Sequence, residues 1–324
     1  MIKTTQQNKK IVVIGGGTGL STMLRGIKKY TSQITAIVTV ADNGGGSGKL
    51  REEMGIIAPG DIRNCIVALA NTEPIMEKLL QYRFKEGTLQ GQSFGNLFLA
   101  ALTDVTGGFE EAVRVTSNVL AITGKVLPVT LEDVHLEATF DNGQWISGES
   151  EIVEYGKGSG HNITTIKLVP SMPQPAPEVI EALEDADLII LGPGSLYTSI
   201  IPNLLVKNIS CYIREAKAEK LYVANLMTQP GETSDLSLER HLMILEGYLG
   251  KGVINQVIVN NEVIEETYLR QYLEDGASVL KVDETHPIWD NIKIIEAPLV
   301  KVDQDKKFIR HDADKLAKCI FEEI

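Results

Sequence analysis

The chain has 324 residues, 43% of them apolar, which is enough for a sizeable core in one or two domains. Its formal net charge of -12 argues against a nucleic-acid polymer or an anionic membrane surface as the main partner, because both require a basic face. A small phosphorylated ligand, which needs only a local positive site, stays compatible with that charge.

The chain is organised around Lys10–Arg25, KIVVIGGGTGLSTMLR. Ile11–Ile14 form a buried strand that runs straight into Gly15, Gly16 and Gly17, and Leu20, Met23, Leu24 and Ile27 then recur at helical spacing. A glycine turn between a strand and a helix leaves backbone N–H groups unpaired at the positive end of the helix dipole. Phosphate is the usual guest of such a turn, with the Thr18 hydroxyl in support; a ligand-free connection has the same sequence grammar.

Ile34–Ala41 reads as a second strand, apolar almost throughout, as in parallel sheets covered on both faces. It ends in Asp42-Asn43 and a second glycine loop, Gly44–Lys49. Residues 59–122 read as helical, with Pro59, Glu73-Pro74 and Ser93–Asn96 opening helices and Gly107-Gly108 and Gly124 closing them. From Val126 to Val169 the pattern alternates over His135–Phe140, Gln144–Glu154 and Thr164–Val169, with Asp141-Asn142-Gly143 as a turn. That predicts a small antiparallel meander, inserted at about residues 126–170 into a single α/β domain spanning 1–324. A proline-rich connector follows at 170–177.

The core resumes with a helix at Pro177–Ala186 and a strand at Asp187–Leu191 that leads into a third glycine loop, Gly192–Ser199. Further strands are expected at Leu221–Leu226, Gln256–Asn260, Val279–Val282 and Ile292–Leu299. Helices are expected at Leu236–Leu249, Glu265–Glu274 and Asp312–Glu323. The fold class that emerges is α/β: a Rossmann-like, doubly wound, mostly parallel sheet with a small inserted antiparallel region. In such sheets the loops at the carboxyl ends of strands line the ligand crevice.

The motifs exclude several chemistries. The third glycine of GxGxxG would fall at Leu20, which weakens a nicotinamide dehydrogenase reading. The second loop fails as a P-loop, since its first glycine would be Asn43 and its magnesium-binding hydroxyl Leu50. The five histidines are scattered, no GxSxG elbow occurs, and Cys65, Cys211 and Cys319 form no CxxC pair. Buried free thiols in a reducing compartment are the expectation. Residues 1–10 are polar, and no apolar run approaches the ~18 residues of a membrane span. A soluble cytoplasmic protein with no membrane insertion is therefore expected.

Asp42 at a strand end fits a metal ligand, a partner for a ribose hydroxyl, a base, or a turn cap. Asp61, Arg63 and Asn64 bring an acid, a cation and an amide to a helix start, where capping and binding roles both fit, as they do for Ser93 and Asn96. Tyr268 and Tyr272, at i, i+4 spacing, can stack on a base or pack in the core. Arg310 can meet a phosphate or sit at the surface.

Together, VVIGGGTGLSTMLRGIK, TVADNGGGSGKLREE, PGDIRN, SFGNLFLAAL, LGPGSLYTSIIPNLL and RHD, in that order along the chain, resemble the YvcK-type gluconeogenesis factors. These are a branch of the CofD-like superfamily, named for 2-phospho-L-lactate transferase. The resemblance implies a Rossmann-like core and a ligand site at the strand ends. It implies a UDP-sugar ligand, notably UDP-N-acetylglucosamine, and a regulatory role in cell shape and peptidoglycan synthesis on gluconeogenic carbon. A protein partner in cell-wall synthesis belongs to that picture. A homodimer is also expected, because open α/β proteins often pair.

On this reading no catalytic residue is assigned. Gly16, Gly17 and Thr18 hold the diphosphate, and Asp42, Asn43 and Ser47 face the same crevice. Asp61, Arg63, Asn64 and Asn96 join them from helix starts. Gly192, Gly194, Ser195, Tyr197 and Ser199 complete the phosphate side, with Asn225 and Thr228 nearby. Tyr268 stacks and Arg310 compensates charge. The alternative is a CofD-like transferase that moves a phospholactyl-type group from a guanylated donor, with magnesium as its cofactor and Asp42 as base or metal ligand. The transferase motif carries adjacent acids in a TGDD-like run; here the stretch is Ala41-Asp42-Asn43-Gly44-Gly45, and the lost acid weakens a two-carboxylate magnesium site.

Overall fold

A computed structural model describes residues 8–303 and 308–323; most of the polar segment read at 1–10 lies outside them. The chain opens with strand β1 (Ile11–Gly15), helix α1 (Gly17–Ile27) and strand β2 (Ile34–Val38). Four helices follow, α2 (Gly45–Met54), α3 (Gly60–Leu69), α4 (Pro74–Leu80) and α5 (Phe94–Thr106), then α6 (Phe109–Val119) and strand β3 (Lys125–Pro128). Next come β4 (His135–Phe140), β5 (Trp145–Ser147), α7 (Glu149–Ser159) and β6 (Ile163–Val169). The second half holds α8 (Pro177–Glu184), β7 (Leu188–Leu191), α9 (Ile201–Leu204), α10 (Ile209–Glu215) and β8 (Glu219–Val223). It continues with α11 (Leu238–Leu249), β9 (Gln256–Asn260), α12 (Glu266–Glu274) and β10 (Lys293–Ala297). It closes with β11 (Val300–Asp303), β12 (Phe308–His311) and α13 (Ala313–Glu323).

The main sheet has seven strands in the order β10-β9-β8-β7-β1-β2-β3, and every neighbouring pair is parallel. From β1 the chain winds outward to β2 and β3; after the insert it returns to β7, on the other side of β1, and winds outward to β10. The reversal of strand order lies between β1 and β7. In a doubly wound sheet that switch point opens a crevice at the strand carboxyl ends. β1 and β7 are buried along their whole length, which is why they read as continuous apolar runs. The α1 stripe Leu20, Met23, Leu24 and Ile27 is buried as its spacing predicts. At Gly26 an added Cβ would collide with the Ala313 carbonyl, so α1 lies close against the start of α13.

Four local readings change. The second glycine run is not an open loop: Gly45–Met54 is helical. Its glycines serve close packing, since a Cβ on Gly48 would strike the Asn43 carbonyl and one on Gly46 would lie 2.7 Å from Gln92 Oε1. Only Trp145–Ser147 of the alternating stretch 144–154 is strand. Gly148, at φ 99, turns the chain into α7, and Glu149 and Glu151 suit the positive start of that helix. Val126 belongs to the edge strand β3 of the main sheet, so the antiparallel sheet β5-β4-β6 begins only at His135. Val279 makes a single bridge to Met227, and Val279–Val282 is not a strand.

Candidate functional site

β2 pairs with β1 only as far as Val38 opposite Gly15, because β1 turns away at Gly16. Gly16 is extended, Gly17 takes φ 69, and α1 begins. The loop after β7 meets this turn directly: a Cβ on Gly19 would lie 2.6 Å from the Pro193 carbonyl oxygen, and one on Gly194 would lie 3.3 Å from that of Gly16. Asn225, just past β8, clamps the same loop. The Gly194 N–H donates to its Oδ1 (3.1 Å), and its Nδ2 donates to the Gly194 carbonyl (2.8 Å). Asn203 Nδ2 donates to the carbonyls of Gly15 (3.3 Å) and Ser199 (2.8 Å).

These loops floor a cleft of about 440 Å³ at the switch point. Gly16, Gly17, Thr18 and Thr22 line one side, and Gly194, Ser195, Ser199, Asn225 and Thr228 another. β12 closes it with Phe308, Arg310 and His311, beside Tyr272 of α12 and Lys157 of α7. The start of α1, two cations and several hydroxyls thus surround one opening, a suitable environment for a phosphorylated ligand. Arg310 is exposed, lies 5.4 Å from the Phe308 ring centroid and has no carboxylate partner among the described residues. The Ile309 N–H donates to the Tyr272 hydroxyl (2.8 Å), which fixes α12 against β12. His311 is buried and bonds the Ala224 backbone; burial lowers its pKa to about 4, so the ring is neutral near pH 7.

Two carboxyls shape the site, the buried Glu232 and the half-buried Asp61, and neither Glu232 nor the Glu149 discussed below is marked by a sequence motif. Glu232 joins two walls: Oε2 accepts the Thr198 N–H (3.2 Å), and Oε1 accepts Thr198 Oγ1 (2.9 Å) and Gln229 Nε2 (2.8 Å). Burial raises its pKa to about 7 in spite of those bonds. Asp61 sits behind the first glycine turn, where a Cβ on Gly16 would lie 2.5 Å from its Oδ2. Burial and Asp42 raise it to about 7, against the opposing effects of the Gly17 N–H, Arg63 and Asn64. Because Asp61 takes the Gly17 N–H, a phosphate here would be met by the next N–H groups of α1.

The remaining expected residues lie beside the cleft, not in it. Asp42 Oδ1 accepts the Gly44 N–H (2.7 Å) and so caps its own turn. Asp42 also bonds Glu149, whose pKa stands well above the carboxylate range through burial and the neighbouring Asp42 and Asp61. Asn43 docks the insert: its Oδ1 accepts the Ser150 N–H (3.0 Å) and its Nδ2 donates to Glu151 (2.8 Å). Ser47 Oγ accepts from Asn96 (3.2 Å), Asn64 bonds Asp61, and Arg63 is buried nearby. The buried Tyr197 hydroxyl donates to the Ile163 carbonyl (3.3 Å), a bond to the small sheet. Gly192 lies under the loop, and Tyr268 packs on the core one turn from Tyr272.

The raised acids give a pH dependence. Asp61 and Glu232 titrate near 3.9 and 4.3 when unfolded, so the stability they contribute is complete below about pH 4 and is lost as pH rises through about 7. His241 and His311, both lowered to about 4, act in the opposite sense between about 4 and 6.5. From pH 6.5 to 8 the two acids together lose about 1–2 kcal/mol, while the unfolded-state titration of the two histidines returns about 0.8, so the net cost is about 1 kcal/mol, read as a Tm fall of one or two degrees. In Asp61→Asn that fall should be smaller by roughly 0.8 kcal/mol and so nearly vanish. An unchanged fall would place the titration elsewhere.

Comparison with known proteins agrees with this architecture. Residues 11–300 match the family described as 2-phospho-L-lactate transferase CofD. The chain belongs to the CofD family. A relative from Thermoanaerobacterium thermosulfurigenes is 54% identical over 311 residues, covering 96% of this chain and 95% of that protein. The gluconeogenesis factor of Bacillus subtilis is 45% identical over 315 residues, covering 97% and 98%. Within the family, then, this chain is similar to the gluconeogenesis-factor branch. A crystal structure of a UPF0052 family member from Bacillus halodurans superposes with a TM-score of 0.92 at 41% identity, covering 97% of this chain and all of that one. Among the described residues no helix is long and apolar enough to cross a membrane.

Proposed function

We propose that this protein is a cytoplasmic regulator that binds a nucleotide-sugar of the UDP-N-acetylglucosamine type. Through a protein partner it supports normal cell shape and peptidoglycan synthesis during gluconeogenic growth. The observation that carries the reading is the cleft at the β1/β7 switch point, where the start of α1 and the exposed Arg310 face the same space. A diphosphate needs those two features together: oriented N–H groups and a mobile cation. Phe308 and Tyr272 offer ring faces for a base, and the hydroxyls of Thr18, Ser195, Ser199 and Thr228 suit ribose or phosphate oxygens. The single-domain reading stands with this proposal, with the insert bringing Lys157 to the cleft.

The transferase alternative draws on Asp42, Asp61 and Glu149, whose crowded carboxyls are of the kind found at reacting centres. As arranged they do not fit a magnesium cage. Asp42 spends one oxygen on Gly44 and bonds Glu149, and among the described residues no three His, Cys, Asp or Glu side chains form a metal-binding group. Incubation with UDP-N-acetylglucosamine, with and without magnesium, should return the ligand chemically intact. Turnover of a nucleotide-linked phosphoester that disappears in Asp42→Asn would establish the transferase instead.

A further inference from the structure

Away from the cleft, helix α5 starts on a group of buried polar atoms without partners. Ser93, its N-cap residue, makes no capping bond. Its Oγ, Gln92 Oε1, Asn96 Oδ1 and Arg63 Nε are all unpartnered among the described residues. Their residues are 1%, 7%, 2% and 9% exposed, respectively. A buried polar group left unsatisfied is costly, so four at one helix start call for an occupant.

The residues that carry them form or border the first turn of α5. A Cβ on Gly95 would stand 3.0 Å from both Cγ and Cδ of Arg63, so the guanidinium stem runs alongside that turn. Gln92 Oε1 lies against Gly46 at the start of α2, and Asn96 bonds Ser47 one residue later. The Phe94 N–H donates to the Tyr82 carbonyl (2.9 Å), and the next two N–H groups of this 13-residue helix have no acceptors within the helix. Two of the unpartnered atoms are amide oxygens, and oxygen and nitrogen exchange places when an amide is turned over. The Ser47 hydroxyl can donate to a turned Asn96 as readily as it accepts now. With both amides turned, the helix start presents a guanidinium N–H, a hydroxyl, two amide NH2 groups and backbone N–H groups, all of them donors. Arg83 lies close enough to repel Arg63, while Asp61 and Asp42 attract it. An anion held against Arg63 relieves that repulsion.

We infer that the start of α5, with Arg63, Gln92, Ser93 and Asn96, is a second binding site that takes a small tetrahedral oxyanion of the phosphate class. None of the four lines the nucleotide cleft, and the inference stands whether or not a nucleotide-sugar binds there.

The test is a thermal titration of the full chain with inorganic phosphate, against sodium chloride and sodium acetate at matched ionic strength. A saturable rise in Tm with phosphate, beyond that with chloride or acetate, is expected in the parent protein and in Arg310→Ala. In Arg63→Met the half-saturating concentration should rise at least tenfold, with partial recovery in Arg63→Lys. Ser93→Ala, a small change that leaves the fold intact, should weaken binding about threefold to tenfold and covers the case in which Arg63→Met fails to fold. Three results would overturn the site: no phosphate-specific shift, a shift unaltered in Ser93→Ala, or a shift abolished by Arg310→Ala, which would place the anion in the cleft.

Discussion

Replacing Arg310 by alanine should weaken UDP-N-acetylglucosamine binding by about 1.5–3 kcal/mol, roughly 10- to 150-fold in Kd. The side chain lines the cleft from β12, is exposed, and has no carboxylate partner among the described residues. Its charge is therefore available to a ligand and is not committed to the fold. Removing it should leave the Tm of the unliganded protein unchanged within error, since substitutions of exposed, unpaired residues usually shift stability by under about 0.5 kcal/mol. Arg310→Lys should recover part of the affinity, because lysine keeps the charge and loses the two-pronged geometry. Calorimetric titration separates these outcomes. An unaltered Kd in Arg310→Ala would remove this residue from the site and leave Lys157 as the cation facing the ligand.

Gly19→Ala should damage stability and binding together. The new methyl would lie 2.6 Å from the Pro193 carbonyl oxygen, 3.0 Å from its carbon and 3.3 Å from the Gly194 nitrogen. All three are backbone atoms, and the loop that carries them is clamped by Asn225 at Gly194 and by Asn203 at Ser199. The contact can be relieved only by separating the loops after β1 and β7, which form two walls of the cleft. Overpacking of this kind costs about 1–3 kcal/mol, and the displaced loops should lower UDP-N-acetylglucosamine affinity at least tenfold. Gly247→Ala is the control: nothing lies within 4 Å of its added Cβ in α11, and alanine is the better helix former. Wild-type Tm and affinity in Gly19→Ala would show that the two loops are not in contact as described.

Much of the core was legible because burial on both faces leaves a simple trace. The strands read at Ile11–Ile14, Asp187–Leu191 and Gln256–Asn260 carry the apolar runs Ile11–Ile14, Leu188–Leu191 and Val257–Val259, which lie in β1, β7 and β9. The α1 stripe was equally clear from its spacing. Elements that read poorly have other determinants. β11 alternates apolar and charged residues and β12 does not alternate at all, and at four positions each they are too short for a pattern to stand out. In α2, glycine is placed for contacts with Asn43 and Gln92, so a helix looked like a loop. The stretch 144–154 kept its alternation although Gly148 ends the strand and α7 begins.

The site divides along the same line. Glycine turns at strand ends announce themselves locally, and Gly16, Gly17, Thr18, Gly194, Ser195 and Ser199 do line one cleft. Glu232 gains its role from Thr198, 34 residues away, and the insert docks on Asn43 from more than 100 residues away. Such meetings depend on the sheet order, which no short motif encodes. Tyr268 and Tyr272 are equivalent on the helix, and both pack on the core; packing of α12 against β12 brings Tyr272 alone to the cleft as well.

The most direct measurement is a crystal structure of the full chain grown with UDP-N-acetylglucosamine. The account predicts the diphosphate over the start of α1, between Thr18 and Ser195, with the Arg310 guanidinium within hydrogen-bond distance of a phosphate oxygen. Ligand bound away from the β1/β7 switch point, or a cleft left empty at saturating ligand, would contradict it.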